Sequence, residues 1–179
     1  MDDCSEVAQR IVEFVRGKAI PYAGNNMKWK SAIFEILGTI GRERGFEVCH
    51  GPCGGLFPNS REYLCDLVWR SNPGGIELAA ECELASAAEI LEDFRKLVDV
   101  KAPLKMLIYT VPRSKDSGKD IRNQIESYMA QYIRHVAGEQ YLFVEFGARH
   151  DHRCYLYVVP NDGTVGSVSL SPIRLMATG

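Results

Sequence analysis

Apolar residues recur at helical spacing in three stretches of the chain. Over residues 5–17 they fall at Val7, Ala8, Ile11, Val12 and Val15, with Ser5 placed as an N-cap. Between 28 and 44 the stripe is Trp29, Ile33, Ile36, Leu37 and Ile40, and Gly45 supplies a C-terminal stop. From 87 to 100 it is Ile90, Leu91, Phe94, Leu97 and Val98, closed off by Pro103. A fourth helix is predicted over 119–137, after the polar loop PRSKDSGKD. Shorter apolar runs read as strands: a short one at 46–50, then 62–70 (EYLCDLVWR), 76–85 (IELAAECELA), 104–111 (LKMLIYTV), 140–147 (QYLFVEFG) and 153–159 (RCYLYVV). GPCGGLFPNS and Ser-Asn-Pro-Gly-Gly mark turns between them.

This order implies an α/β fold. The helix between strands 76–85 and 104–111 favours a parallel pairing of the two, since a parallel connection needs a crossover. The expected architecture is a mixed central sheet flanked by helices on both faces, with helices 28–44 and 87–100 on opposite faces. Neither an internal repeat nor a dividing linker is found, so residues 1–179 read as a single domain. Its core spans about 28–111, a helix and two strands follow over about 116–160, and the Gly/Ser-rich tail 161–179 is expected to be loose.

Composition narrows the function classes. The 179 residues are 46% hydrophobic and 25% charged, which excludes a disordered or low-complexity chain. Twenty-one basic against 23 acidic residues give a net charge of −2, which excludes a strongly basic nucleic-acid binder but not a local basic patch. The six cysteines are scattered, with no CxxC pair, and Cys65 and Cys82 lie in apolar runs; all six are expected to be reduced. Cys49, His50 and Cys53 offer two or three ligands where structural zinc takes four, so that segment reads as a turn. His150-Asp151-His152 also reads as a turn. The acidic N-terminus has no apolar signal core and no stretch approaches about 18 apolar residues, so a cytoplasmic protein with no membrane span is expected.

The chemistry concentrates in two strands. Along 76–85 the odd positions are Glu77, Ala79, Glu81, Glu83 and Ala85, while every even position is apolar. Along 62–70, Asp66 sits among Cys65, Leu67, Val68 and Trp69. Aspartate is disfavoured in strands, and inside an apolar run it needs a partner or a metal. Two strands joined by a short loop bring Asp66, Glu81 and Glu83 around one point. Like charges that close raise one another's pKa, and a magnesium or manganese ion would relieve the repulsion.

With Asp66 in one strand and Glu81-Cys82-Glu83 in the next, the chain resembles the PD-(D/E)xK nuclease superfamily. That family has the restriction endonuclease-like αβββαβ core, which the order from Lys28 to Val111 matches. Its signature is an aspartate in the second core strand and Glu/Asp-x-Lys in the third. A glutamate on the first core helix is frequent there, and Glu35 is the match. Two positions depart from the pattern: Cys65 replaces the proline, and Glu83 stands where the lysine belongs. Lys96 is a candidate migrated lysine, although it lies opposite the apolar stripe of its helix and reads as a solvated surface position.

The resemblance implies a metal-dependent phosphodiesterase acting on nucleic acid. Asp66 and Glu81 would hold Mg2+ or Mn2+, weakly without substrate, Glu83 would bind a second cation or orient water, and Glu35 would complete the outer ligands. Lys28, Lys30, Arg42, Arg44, Arg61 and Arg70 are candidates to line the nucleic-acid track, and a homodimer stays open. The alternative is a catalytically decayed module of the same fold that binds nucleic acid or a protein partner. A third reading is an unrelated α/β domain whose acidic strand face is a protein interface.

Overall fold

The computed structural model describes residues 2–17, 26–51, 64–111, 117–147, 152–162, 168 and 170–173. These form α1 (Asp2–Gly17), α2 (Asn26–Glu43), β1 (Glu47–His50), β2 (Leu67–Arg70), β3 (Ile76–Glu83), α3 (Ala87–Asp99), β4 (Leu104–Thr110), α4 (Ser117–Gln131), β5 (Gln140–Phe146), β6 (His152–Val158) and β7 (Ser171–Ile173). The strands make one seven-stranded mixed sheet in chain order, β1 to β7. The β3–β4 and β4–β5 pairs are parallel and the other neighbouring pairs antiparallel. Each parallel pair is bridged by a helix, as parallel neighbours require.

Strand alternation sorts the core into two halves. Leu67, Trp69, Leu78, Ala80, Cys82, Met106, Ile108, Leu142 and Val144 face α1 and α2. Val68, Ala79, Leu107, Tyr109, Tyr141 and Phe143 face α3 and α4. The sheet is therefore covered on both sides, with α2 and α3 on opposite faces. The stripe residues expected to be apolar on α1, α2 and α3 are buried in these two halves, apart from the half-buried Leu91. Each such side chain contributes roughly 1.5–3 kcal/mol on burial. A capping box starts α3: the Ser86 hydroxyl accepts from Glu89 N at 3.3 Å, and the Glu89 carboxylate accepts from Ser86 N at 3.1 Å.

Glycine and tryptophan set the approach of α2 to the sheet. Trp69 Nε1 donates to Leu37 O at 3.1 Å. A Cβ on Gly41 would lie 2.6 Å from Trp69 Nε1 and 2.8 Å from Val48 Cγ2, so only glycine permits this contact. The distance matters because α2 delivers a lysine to the end of β3.

Three elements differ from the sequence expectation. The helix expected over 119–137 ends at Gln131, because the residues beyond it bond to the rest of the fold: Tyr132 Oη donates to Asp99 at 3.1 Å, and His135 Nδ1 lies 3.2 Å from Tyr141 Oη on β5. The strand expected over 62–70 is regular only from Leu67, and Leu64 has left-handed backbone at φ 65°. The tail expected to be loose contains β7, paired with β6.

Candidate functional site

Asp66 sits just before β2, where the antiparallel register Leu67↔Ala80 brings it opposite Glu81. Its own N–H donates to Glu81 Oε2 at 3.3 Å, and Cys82 N donates to Asp66 Oδ2 at 3.0 Å. Gly51 N donates to its carbonyl at 3.0 Å. Lys30, from the second turn of α2, places Nζ 2.8 Å from the same Oδ2. The unexpected aspartate is thus held by β1, β3 and α2 together at the carboxyl end of the parallel strands, the end where open α/β sheets hold their ligands.

Glu81 is 4% exposed. Burial first, then the Asp66 and Asp93 charges, push its carboxyl up to about 8, against the Asp66 N–H and Lys96, which favour the ionised form. Cys65 beside it is pushed up to about 12, by burial and then by Glu81 and Asp66. Glu83 accepts Ala85 N at 2.6 Å, and its pKa is raised, chiefly by burial. Lys96 bonds Asp93 at 2.5 Å, which raises the lysine, and its charge reaches Glu81. For Lys30, burial works to lower the pKa, but the Asp66 bond and charge outweigh it and the net direction is up.

One balance follows from these contacts. Asp66, Glu81, Glu83 and Asp93 gather around the ammonium groups of Lys30 and Lys96, with Glu89 adding negative charge at Glu83 and Glu92 at Lys96. Each lysine is paired with an aspartate. Glu81 and Glu83 receive backbone N–H groups instead, and both have raised pKa values.

The expected site residues are therefore placed unevenly. Asp66 and Glu81 come together. Glu83 lies on the same strand face, with its carboxylate turned back to Ala85. Glu35 sits five residues beyond Lys30 on α2, where Thr39 Oγ1 donates to its carbonyl at 2.8 Å. Lys96, expected as a plain surface lysine, is 51% exposed yet acts on Glu81. Of the cations named for a nucleic-acid track that lie among the described residues, Lys30 is the one paired with Asp66. Arg44 lies over Trp69 and bonds Glu6, Arg70 meets Glu47, and Lys28 and Arg42 are exposed on α2. Arg61, Cys53, His150 and Asp151 lie outside the described residues. His152 is buried against the Trp29 and Phe146 rings. Among the described residues, Cys4, Cys49, Cys65, Cys82 and Cys154 form no disulfide.

For a divalent cation, the donor set is a pair rather than a cage. Among the described residues no group of three or more His, Cys, Asp or Glu stands ready to hold a metal ion. Two neighbouring carboxylates do fit magnesium or manganese chemistry, in which one or two carboxylates suffice and water or substrate phosphate supplies the rest.

Two further ionic clusters lie on the α3/α4 face. At the carboxyl end, in the strand row Glu83–Tyr109–Glu145–Arg153, Glu145 accepts from Tyr109 Oη at 3.0 Å and from Arg122 of α4. At the opposite end, Lys105 Nζ donates to Val98 O, Glu139 Oε2 and Tyr141 Oη, each at 3.1 Å. Charged residues inside the apolar runs LKMLIYT and QYLFVEF carried the same signal as Asp66, and that signal identifies Lys105 and Glu145.

The fold and site define a three-layer α/β/α protein with paired strand carboxylates at the carboxyl end of its parallel strands. No family model matches the chain, and no curated protein is similar to it. No helix among the described residues is long and apolar enough to cross a membrane.

Proposed function

We propose that the chain is a metal-dependent phosphodiesterase acting on nucleic acid, a divergent member of the PD-(D/E)xK superfamily with its restriction endonuclease-like core. The observation that carries this reading is the convergence of Asp66 and Glu81, from adjacent strands, with a lysine brought in from each helical layer. The order α2-β1-β2-β3-α3-β4 agrees with the αβββαβ core of that family.

In this reading Asp66 and Glu81 hold Mg2+ or Mn2+, which when bound polarises the scissile phosphate and lowers the pKa of its water. Asp66 is fixed by the Cys82 N–H, so its carboxylate is positioned in advance. Lys96 supplies, from α3, the positive charge that the motif lysine would supply at the position of Glu83. Water adds to phosphorus as the bond to the leaving oxygen breaks, and the ammonium groups offset charge gathered on the phosphoryl oxygens. Glu83 and Glu35 belong to the periphery of the site, to orient water or complete outer ligands. The five described cysteines, none in a disulfide, suit the reducing, cytoplasmic setting expected from the sequence.

The test is cleavage of single- and double-stranded DNA and RNA with Mn2+ or Mg2+. Cleavage by the wild type should stop with chelator and fall at least about a hundredfold in Asp66→Ala and Glu81→Gln. Cleavage that survives Asp66→Ala would contradict the assignment. A second reading, a decayed module that binds nucleic acid or a protein, is favoured by Glu83 in the lysine position. It predicts tight nucleic-acid binding, without cleavage, that Asp66→Ala leaves intact.

A further inference from the structure

Resting on that reading, we infer that Lys30 is an internal counter-ion that occupies Asp66 until a divalent cation displaces it. Its ammonium lies 2.8 Å from Asp66 Oδ2, the oxygen that also accepts the Cys82 N–H. Asp66 therefore carries one fixed backbone donor and one movable cation on the same oxygen. The side chain of Lys30 is 27% exposed, and its ammonium lies 5.8 Å from the Phe34 ring centroid. Lysine is a compact charge on a flexible four-carbon stem, able to swing to another anion without moving α2.

The arrangement solves a problem that the strand register creates. Asp66 and Glu81 are forced side by side by the β2–β3 pairing, and Asp93 adds a third negative charge. Lys30 makes that crowding tolerable when no metal is present. A divalent cation entering at Asp66 meets the ammonium at short range, and like charges at such separation repel strongly where water is partly excluded. Binding therefore requires Lys30 to leave. The released ammonium stays beside the pair, where the phosphate of a substrate would meet it. Lys30 is thus a positioning residue that sets metal affinity against substrate binding.

The test is Mn2+ titration by calorimetry on wild type, Lys30→Met, Lys30→Gln and Asp66→Ala. Methionine keeps the length of the stem and removes the charge; glutamine keeps a donor for Asp66 and also removes the charge. The manganese-induced rise in thermal midpoint gives a second readout that needs no activity. Lys30→Met and Lys30→Gln should both bind manganese at least about tenfold more tightly than wild type, with a larger thermal shift and a lower midpoint in chelator. If manganese binding depends on Asp66 but neither Lys30 variant is tighter, the counter-ion role is overturned while the metal reading stands. If Asp66→Ala binds as the wild type does, or nothing binds, the metal reading itself fails and this inference with it. Should Lys30→Met not fold, Lys30→Gln alone decides.

Discussion

The α3/α4 face of the sheet has buried ionic groups at both ends, and the two ends are built to different rules. At the end where β4 and β5 begin, Lys105 is 2% exposed and Glu139 7%, and they neutralise each other at 3.1 Å. Val98 O and Tyr141 Oη take the remaining ammonium protons, and Val136 N donates to Glu139 at 3.4 Å. His135 Nε2 donates to the Met129 carbonyl at 2.9 Å and its Nδ1 lies 3.2 Å from Tyr141 Oη, which in turn donates to Glu139 Oε2 at 3.4 Å. Burial lowers Lys105, but the pair is matched charge for charge. Around Asp66 at the carboxyl end, carboxylates outnumber the lysines that reach them, and Glu81 is pushed up to about 8. The matched buried pair is scaffold; the unmatched carboxylates are where the proposed cation would sit.

Unbalancing the matched end should have the largest effect on stability. Lys105→Met or Glu139→Leu alone should cost about 3–5 kcal/mol, because each leaves a buried charge without its partner. The double substitution should cost far less than the sum of the two, as urea unfolding of all three variants would show. Additive losses would mean that the pair is not the unit of stability there.

Arg122→Ala separates charge surplus from mere location. Arg122 is 17% exposed and bonds Glu145, which is 5% exposed, close to the candidate site but within a satisfied cluster. The substitution should cost about 3 kcal/mol and leave manganese affinity unchanged. A large loss of manganese binding would extend the site across β4 to β5.

The surplus should also show in the pH dependence of stability. The folded pKa of Glu81 lies above its ordinary value of 4.5, so the folded chain holds this proton more tightly than the unfolded chain does. Glu81 therefore costs nothing below about pH 4.5, and its penalty grows as pH rises towards 8. Each tenfold difference in proton affinity is worth roughly 1.4 kcal/mol, so on the order of 2 kcal/mol or more should be lost across that window without metal. Glu81→Gln should remove most of that slope, measured by urea unfolding at pH 5, 6, 7 and 8. An equal slope in both proteins would assign it to other groups.

Glu83 should give the smallest effect. Its carboxylate is turned to Ala85 N, so Glu83→Gln should weaken manganese binding by less than about tenfold. A loss as large as that of Asp66→Ala would restore Glu83 to the ligand set.

Much of the fold was legible in the chain because its helices and strands bury one face each. The stripes of α1, α2 and α3 and the alternation of β3 placed those elements and their layers. Strand β7 was not legible: Ser-Pro-Ile is short, lies in a Gly/Ser-rich tail, and becomes a strand only by pairing with β6. Asp66 stood out because an aspartate in an apolar run demands a partner. Lys30 did not, since a lysine in the first turns of a helix resembles any solvated cation until the tertiary fold sets Asp66 beside it. Lys105 and Glu145 were as legible as Asp66 by the same rule, but their partners Glu139 and Arg122 lie 34 and 23 residues away along the chain.

The proposed activity requires the Asp66–Glu81 pair to be a cation site rather than two crowded acids. Calorimetric titration of Mn2+ into wild type and Asp66→Ala tests this most directly, with the folded state of both checked by circular dichroism. One manganese per chain should bind the wild type and none should bind the variant. Equal binding to both, or to neither, would contradict it.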